Sequence, residues 1–342
     1  MELAIVGAGA AGAAATYALR DTDVDVTVFE KSRGVCGRAA TRRKHGCRYD
    51  HGANYVKSNS PRVNELITET LPTDGLVDIQ EPVWTFDAAG DIEPGESRDD
   101  HKWTYEDGIT QLGKRLFDRA DADIEFETRV GRLSHSGGNW WLLDTDGNDL
   151  GTFDAVLLTP PAPQTADILA ATEWNDSLLA DIQAAVDAVP YRTIYAVLLH
   201  YPFEVEYPWY GLVNTDREHP VGWLSREELK DGHVPAGESL FAAQMSPEWS
   251  VDRYEDPSEA VKADAAELVA DLLDDERFAD PDWTDRQGWR YALPDDGVDD
   301  IVRDAEPHGL YVAGDWVVGD GRVHLAVENG LEVGERIADD SA

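Results

Sequence analysis

The residues with the clearest chemistry lie at positions 7–12, which read Gly-Ala-Gly-Ala-Ala-Gly directly after a short apolar run. Glycines at this spacing bind a dinucleotide, because the first permits a tight turn and the second lets the backbone approach a pyrophosphate. The third lets the following helix pack closely on the sheet, and the N-terminus of that helix offers free N–H groups to phosphate. The residues predicted to form this site are Gly7, Gly9, Ala10, Ala11 and Gly12.

Three elements must position these glycines: a strand over residues 2–6, an Ala-rich helix over 13–19 and a second strand over 24–29. Glu30 stands at the tip of the second strand, where a carboxylate accepts hydrogen bonds from the ribose of a bound dinucleotide. The glycine pattern is informative in this context of strand, turn, helix, strand and acid. A closely packed Ala-rich helix is the alternative explanation, and it leaves Glu30 without a role.

A basic loop follows the acid. Residues 31–38 read Lys-Ser-Arg-Gly-Val-Cys-Gly-Arg, in a chain whose net charge is −39. Cations beside a pyrophosphate site favour phosphate binding, because an Arg side chain can bridge two phosphates. We therefore predict that Lys31, Gly37 and Arg38 contact the dinucleotide, and a solvated basic loop is the alternative.

A fourth candidate is the stretch 49–55, Tyr-Asp-His-Gly-Ala-Asn-Tyr, which is typical of a strand that ends in a turn. Gly52 and Ala53 leave room for a flat group to lie on the backbone. Asn54 and Tyr55 could border such a group at its edge. Taken alone, this spacing is a weak signal.

Together these stretches resemble the N-terminal half of the FAD-dependent amine oxidase superfamily. The nearest resemblance is to its renalase-like branch, which carries K-S-R-G-x-G-G-R followed by D-x-G-A-Q-Y. The resemblance implies that Gly37 and Arg38 lie on the FAD pyrophosphate and that residues 52–55 contact the flavin ring. Cys36, where a glycine is usual, and Asn54, in place of Gln, depart from the pattern. Cys36 could tighten or redirect the loop.

The resemblance extends to the C-terminal end, where residues 309–316 read Gly-Leu-Tyr-Val-Ala-Gly-Asp-Trp and a helix is predicted from 323 to 337. It implies that Asp315 bonds the ribityl chain or pyrophosphate and that the helix N-terminus points its N–H groups at the flavin N1/O2 edge. It also implies that backbone at Val130, the end of a predicted strand over 124–130, holds the adenine. The further cofactor residues implied are Gly314, Asp315, Val323, His324 and Leu325. Covalent attachment through His324 is not expected.

The segment 287–294, Gln-Gly-Trp-Arg-Tyr-Ala-Leu-Pro, resembles a segment that returns to the flavin in related oxidases. The candidate substrate contacts are Tyr55, Trp289 and Arg290. We expect Arg290 to be buried and either to hold an anionic part of the substrate or to form an interdomain salt bridge. No catalytic base and no metal ligands are predicted. Cys36 and Cys47 are too few and too far apart for a zinc ribbon.

The predicted fold class is α/β. A Rossmann-like FAD-binding domain of the glutathione-reductase and amine-oxidase type carries an inserted α+β substrate domain built on an antiparallel sheet. The FAD-binding domain is predicted to comprise residues 1–60, 104–163 and 295–342. The substrate domain is predicted to comprise residues 61–103 and 164–294.

The chain has 342 residues, of which 29 are Lys or Arg and 68 are Asp or Glu. This acidity argues against nucleic-acid binding, because phosphate backbones are repelled. No stretch approaches the roughly 20 apolar residues of a membrane span, and no secretory signal is recognisable. We expect a cytoplasmic protein of a high-salt cell, since concentrated salt screens the self-repulsion of the acids. The oligomeric state cannot be read from the sequence.

The predicted activity is FAD-dependent oxidoreduction, with hydride transfer from a small organic donor to the flavin and reoxidation by oxygen or another acceptor. If the renalase-like resemblance holds, the donor is an amine or a dihydropyridine isomer of NAD(P)H. A carotenoid-type flavin desaturase or isomerase is one alternative, although it would need a long apolar tunnel. A flavin-binding module without turnover is the other.

Overall fold

The computed structural model describes residues 1–96 and 100–342. The strands are β1 (Glu2–Val6), β2 (Asp25–Glu30), β3 (Thr41–Lys44), β4 (Cys47–Asp50), β5 (Val56–Lys57), β6 (Leu76–Asp78), β7 (Val83–Phe86), β8 (Ile92–Glu93), β9 (Lys102–Tyr105), β10 (Ala122–Phe126), β11 (Val130–Ser136), β12 (Asn139–Asp144), β13 (Asp149–Phe153), β14 (Ala155–Leu158), β15 (Tyr191–Tyr201), β16 (Gly211–Asn214), β17 (Val221–Arg226), β18 (Ser239–Met245), β19 (Trp283–Pro294) and β20 (Leu310–Val312). The helices are α1 (Ala10–Ala18), α2 (Pro61–Glu65), α3 (Thr110–Phe117), α4 (Ala162–Ala170), α5 (Leu178–Asp187), α6 (Pro247–Asp252), α7 (Ser258–Leu273), α8 (Asp315–Val318) and α9 (Val323–Ser341).

A five-stranded parallel sheet in the order β10-β2-β1-β14-β20 forms the first layer. Its central strands are nearly continuous apolar runs, as expected for parallel strands buried on both faces. The sheet contains strands from both the N-terminal and the C-terminal parts of the chain, with β14 between β1 and β20. This arrangement confirms the predicted Rossmann-like architecture.

Helices α1 and α9 pack on this sheet with their backbones in close approach. A Cβ at Gly330 would lie 2.3 Å from the carbonyl oxygen of Ala11, and one at Gly334 would lie 2.7 Å from that of Ala15. Only residues without a Cβ allow this approach. The small residues of both helices therefore fix the distance between α9 and the glycine turn.

A seven-stranded sheet in the order β19-β15-β18-β17-β16-β7-β8 forms the second layer. Its pairs are antiparallel except for β16 and β7, which run parallel. Helix α7 covers one face, where its Val261, Ala265 and Val269 join a buried cluster with residues of β15 and β18. The predicted antiparallel substrate region is thus confirmed in its main feature.

The predicted single strand over 124–130 is wrong. Strand β10 ends at Phe126, Glu127 adopts a left-handed backbone with φ of 55°, and Val130 begins β11 in a separate three-stranded sheet. The amide of Thr128 donates to the carbonyl oxygen of Glu30 at 3.0 Å, which holds the turn against β2. Ile124, Phe126 and Val130 are apolar and in phase, and residues 125, 127 and 129 are charged, so the alternation continues across the turn and local sequence does not separate one strand from two.

Packing contacts cross two of the predicted domain boundaries. Val63 of α2 lies in the same buried cluster as α1, although residue 61 was the expected start of the substrate domain. Ile168 of α4 and Ile182 of α5 lie in a cluster with β14 of the parallel sheet. These contacts favour placing residues 61–71 and 164–187 with the nucleotide-binding part, and the division into two domains stays a prediction.

Candidate flavin site

A cavity of about 2440 Å³ runs between the two sheets. It begins at the glycine turn before α1, passes residues 52–55, and reaches the N-terminus of α9. Pockets for drug-sized ligands measure about 300–1,000 Å³. This cavity therefore has room for a dinucleotide and a second molecule.

The glycine turn has the geometry that its pattern predicts. Gly7 has φ of 101°, and a Cβ at Gly12 would lie 2.1 Å from the carbonyl oxygen of Gly7. A Cβ at Gly9 would have nothing within 4 Å, and Gly9 lines the cavity with Ala10 and Ala11. Gly12 is thus required to close the turn, whereas Gly9 leaves space on the cavity side.

Glu30 lies at the end of β2, buried and facing the cavity. One carboxylate oxygen accepts from the amide of Ala8 at 2.8 Å, and the other accepts from the amide of Ser32 at 2.7 Å. These two bonds orient the carboxylate. Lys31 also lines the cavity, and its Nζ donates to Oε1 of Gln164 at 2.9 Å. Burial lowers the pKa of Lys31, and the charge of Glu30 opposes this effect.

Arg38 and Asp315, predicted from opposite ends of the chain, contact each other. Arg38 Nη2 donates to Asp315 Oδ1 at 2.7 Å, and Nη1 donates to the carbonyl oxygen of Ala292 at 3.0 Å. Burial by itself would lower the pKa of Arg38, but the Asp315 carboxylate outweighs it and the net pKa is raised. Gly37 lies beside the turn, where its Cβ position is 3.5 Å from Cα of Gly9.

Cys36 takes the position where related sequences carry glycine. Its backbone is left-handed, with φ of 77°, and its amide donates to the carbonyl oxygen of Ala8 at 2.8 Å. The side chain is buried, and Sγ lies 3.1 Å from the Cβ position of Gly113 on α3. The loop therefore keeps the backbone form that a glycine would adopt, and both Cys36 and Cys47 are free thiols.

Residues 52–54 form a short stretch of irregular backbone that we call the platform. A Cβ at Gly52 would lie 2.1 Å from the carbonyl oxygen of Arg38, and the amide of Ala53 donates to that same oxygen at 3.0 Å. Asn54 Nδ2 donates to the carbonyl oxygen of Asp50 at 3.0 Å. The platform thus lies directly on the basic loop, and its residues face the cavity.

The second sheet fixes the platform through Gln244, which was not predicted, and through Trp289, which was predicted only as a substrate contact. Gln244 Nε2 of β18 donates to the carbonyl oxygen of Gly52 at 2.7 Å and to Oδ1 of Asn54 at 3.1 Å. Trp289 Nε1 donates to the carbonyl oxygen of His51 at 2.9 Å. The available signal for Gln244 was its amide in an otherwise apolar strand, Ser-Leu-Phe-Ala-Ala-Gln-Met.

A fully buried ionic cluster lies behind the platform, formed by Asp50, Glu227, Lys230 and His233. Lys230 Nζ donates to Asp50 Oδ2 at 2.9 Å and pairs with Glu227 Oε1 at 2.8 Å. His233 Nδ1 lies 3.0 Å from Glu227 Oε2. The cluster holds the end of β4, from which the platform extends.

The opposite charges in this cluster stabilise each other's ionised forms. Burial raises the pKa of Asp50, but Lys230 and His233 lower it by more, and the net pKa lies below its ordinary value. Burial likewise opposes the charge of Lys230, whereas Asp50 and Glu227 raise its pKa. The cluster was not predicted, because 180 residues separate Asp50 from Lys230 in the sequence.

The predicted substrate residues all line the cavity. The ring of Tyr55 lies 6.0 Å from that of Tyr210 and 6.3 Å from that of Trp223. The expected burial of Arg290 is wrong, because its side chain is 58% exposed. Its Nη2 lies 3.7 Å from Glu255, which belongs to the same predicted domain, so the pair is not an interdomain salt bridge.

The C-terminal residues close the far end of the cavity. Gly314 has φ of 153° and its amide donates to Asn329 Oδ1 at 2.9 Å. Val323 and His324 line the cavity at the start of α9, whereas Leu325 is not among the described lining residues. His324 is buried, and its Nδ1 has no hydrogen-bond partner among the described residues. Burial first, and then the charge of Arg322, lower the pKa of His324.

Val130 occupies the opposite end, where it is buried and lines the cavity beside Gly131 and Thr145. The predicted cofactor residues therefore extend along one continuous cavity, apart from Gly12 and Leu325, which do not line it. The fold and this cavity define a Rossmann-type dinucleotide-binding protein.

Comparison with known families makes the class specific. Residues 5–70 match the NAD(P)-binding Rossmann-like domain, and residues 84–338 match the flavin containing amine oxidoreductases. The second match covers most of the chain, so the protein belongs to the flavin containing amine oxidoreductase family. It is an FAD-dependent oxidoreductase.

Individual relatives are distant. Over 68 residues the chain is 37% identical to protoporphyrinogen oxidase 2 of Arabidopsis thaliana, a match to 20% of this chain and 13% of that protein. A protein of Exiguobacterium sp. 255-15, provisionally described as a protoporphyrinogen oxidase, superposes with a TM-score of 0.79 at 16% identity, covering 99% of both chains. Cyclohexylamine oxidase of Brevibacterium oxydans IH-35A superposes with a TM-score of 0.72 at 15% identity, also covering 99% of both chains.

A fatty acid isomerase of P. acnes superposes with a TM-score of 0.68 at 15% identity, covering 98% of both chains. At these identities the likeness establishes the fold and leaves the substrate open. Within the part of the chain that the structure describes, none of the helices has the length and apolarity that crossing a membrane requires.

Proposed function

We propose that this protein oxidises a small organic donor by hydride transfer to FAD, with electrons passed on to oxygen or another acceptor. The observation that supports the proposal best is the continuity of the cavity. The cavity joins the glycine turn, the platform and the second sheet, so a donor can lie against the flavin ring of a bound FAD.

The residues present fit an FAD molecule. Gly9 offers open space beside the N-terminus of α1, and Glu30 holds a buried, oriented carboxylate one strand away. The ring would lie on residues 52–54, where Gly52 has no room for a side chain. Val130 would contact the adenine, and Asp315 the ribityl or pyrophosphate region. When bound, FAD supplies the hydride acceptor.

The chain itself contributes position, shielding and charge. Gln244 and Trp289 hold the platform from the second sheet, so the backbone on which the ring would lie is fixed in position. Tyr55 and Trp223 line the donor side with aromatic surface that excludes water. The α9 N-terminus presents partial positive charge at the end of the ring site. His324 Nδ1 is buried and open to a new hydrogen bond there.

We propose two donor classes for the first tests, amines and dihydropyridine isomers of NAD(P)H, as the renalase-like resemblance suggests. The structural neighbours include an amine oxidase and a fatty acid isomerase, so the fold alone does not decide the donor class. We call the part of the cavity where the donor would lie the donor end. Its lining carries Lys57, Lys102, Arg322 and Gln80. Such a polar lining does not favour a carotenoid-type desaturase.

The test is an anaerobic donor screen with the FAD-loaded protein. Each candidate donor is added without oxygen, and the visible flavin band at about 450 nm is followed. The proposal is supported if one donor class bleaches the flavin band and the band returns when air is admitted. A protein that binds FAD and is bleached by no donor, even in large excess, would favour a flavin-binding module without turnover.

A further inference from the structure

The charge of the cavity lining is the reverse of the charge of the chain. The chain carries 29 Lys and Arg against 68 Asp and Glu. Among the described residues that line the cavity, twelve are Lys or Arg and seven are Asp or Glu. Some of these cations belong to the basic loop of residues 31–38, where the pyrophosphate of a bound dinucleotide would neutralise them. Others lie at the donor end, where a dinucleotide offers no phosphate.

Two of the donor-end cations oppose each other directly. Lys57 of β5 and Lys102 of β9 are cross-strand partners in antiparallel register, and both line the cavity. Side chains at opposed positions share one face of the pair, and like charges there repel. Asp100 lies 3.9 Å from Lys57 Nζ, a long contact to a partly exposed carboxylate. Burial lowers the pKa of Lys102 although Asp78, Glu81 and Asp100 favour its charged form.

A third cation approaches from α9. Arg322 directly precedes this helix, which packs against β5, and it lines the same part of the cavity. Its contact to Asp320 is 3.4 Å, with the side chains 49% and 58% exposed, so solvent weakens the pair. The partial positive charge of the helix N-terminus has the same sign. Both Arg322 and Lys57 also act to lower the pKa of His324.

We propose that the donor is an organic anion, whose carboxylate or phosphate group binds Lys57, Lys102 and Arg322, which we call the cationic rim. The inference rests on the proposed function and narrows its donor class. An anion would relieve the repulsion between the opposed lysines and accept charge-assisted hydrogen bonds from all three side chains. An amine donor, charged at neutral pH, would meet three like charges.

The experiment uses the full chain loaded with FAD, at one fixed ionic strength. Benzoate, phenyl phosphate and benzylammonium share one ring and differ in charge, and their binding is followed by perturbation of the visible flavin spectrum. We expect benzoate or phenyl phosphate to bind with a Kd at least about tenfold below that of benzylammonium. The tighter of the two anions separates a carboxylate donor from a phosphate donor.

Charge-removing variants assign the binding to the rim. Lys57→Gln and Arg322→Gln are each expected to weaken the anion about tenfold, the typical loss of one charge-assisted contact. Lys102→Gln is expected to do the same, and Lys102→Arg to retain binding if the Gln variant folds poorly. Arg303→Gln is the control. The Arg303 side chain is 55% exposed near Glu306, and Arg303 is not among the described residues that line the cavity.

Three outcomes would overturn the inference while FAD still binds normally: benzylammonium binding as tightly as the anions, no spectral change with either anion, and rim variants that bind like Arg303→Gln. A chain that fails to bind FAD would instead overturn the proposed function, and the donor inference with it. FAD content is therefore measured on every sample before the titration.

Discussion

Two glycines of the same motif do different work. Gly12 stands where any Cβ would lie 2.1 Å from the backbone oxygen of Gly7, whereas Gly9 faces open cavity. The first is a requirement of the fold, and the second is a requirement of the ligand. A single methyl group added at each position separates the two roles.

We predict that Gly9→Ala folds normally but binds FAD at least about tenfold more weakly, a loss of about 1.4 kcal/mol. The backbone of Gly9, with φ of −70°, suits alanine, so the melting temperature of the apoprotein should not fall. Gly12→Ala should instead lose about 1–3 kcal/mol of stability, because backbone must shift. Thermal unfolding and FAD titration of both variants check this. Equal effects on stability would contradict the assignment.

The buried lysine behind the platform provides a second test at the residue scale. Lys230→Met would leave Asp50 and Glu227 without their cation inside the protein, at a cost of about 3–5 kcal/mol. Urea unfolding measures the loss. Lys262→Met serves as a control for the substitution itself, since Lys262 is only partly buried and pairs with a solvent-exposed Glu259. A loss below about 1 kcal/mol would mean that the cluster is not held by Lys230.

The same cluster predicts a pH dependence. The pKa of Asp50 is lowered on folding, so its contribution is present above the unfolded value of about 3.9 and is lost as pH falls through the folded value. The pKa of Lys230 is raised, so its contribution is lost as pH rises above about 10.4. Asp50→Asn should therefore flatten the acid limb of stability against pH. An unchanged acid limb would contradict the prediction.

At the scale of elements, α9 links the two ends of the chain. Its glycines allow contact with α1, its N-terminus meets the donor end of the cavity, and its Asn329 holds Gly314. Displacement of this helix would move the glycine turn and the ring site together.

We predict that Gly330→Ala costs about 1–3 kcal/mol, because the new Cβ would lie 2.3 Å from the backbone of Ala11. FAD affinity should fall as well, since α1 must move. Glu332→Ala, on an exposed position of the same helix, controls for composition and should leave both properties near their original values. A Gly330→Ala protein with unchanged stability would show that the two helices can separate freely.

Elements built from local patterns were predictable from sequence, and contacts between distant segments were not. Residues 7–12 and Glu30 form a turn within one strand-helix-strand unit, and the structure places them as their spacing predicts. Gln244 meets Gly52 across 192 residues, and no local pattern encodes that contact. Arg290 was expected to be buried, but it is exposed. The residues directly before and after it in the same strand are partly buried.

At the scale of the whole molecule, the excess acidic side chains repel one another and so destabilise the compact folded state. A net charge of −39 repels itself in dilute buffer. We predict that the melting temperature rises between dilute buffer and molar KCl, where the screening length falls to about 3 Å. Scanning calorimetry of the FAD-loaded protein checks it. A melting temperature that does not change with salt would contradict the prediction of a high-salt cytoplasm.

The cavity between the two sheets sets the chemistry of the molecule as a whole. The parallel sheet, the antiparallel sheet and the β5–β9 pair all contribute residues to its lining, so no single part forms the proposed donor site. The renalase-like assignment within the family stays a prediction, and the donor screen decides it.

The most direct measurement is FAD binding by the purified chain in saline buffer. We predict one FAD per chain, a flavin band at about 450 nm that shifts from its free position on binding, and binding that is at least about tenfold weaker in Gly9→Ala. A folded chain that leaves added FAD free in solution would contradict the central claim that this cavity holds the cofactor.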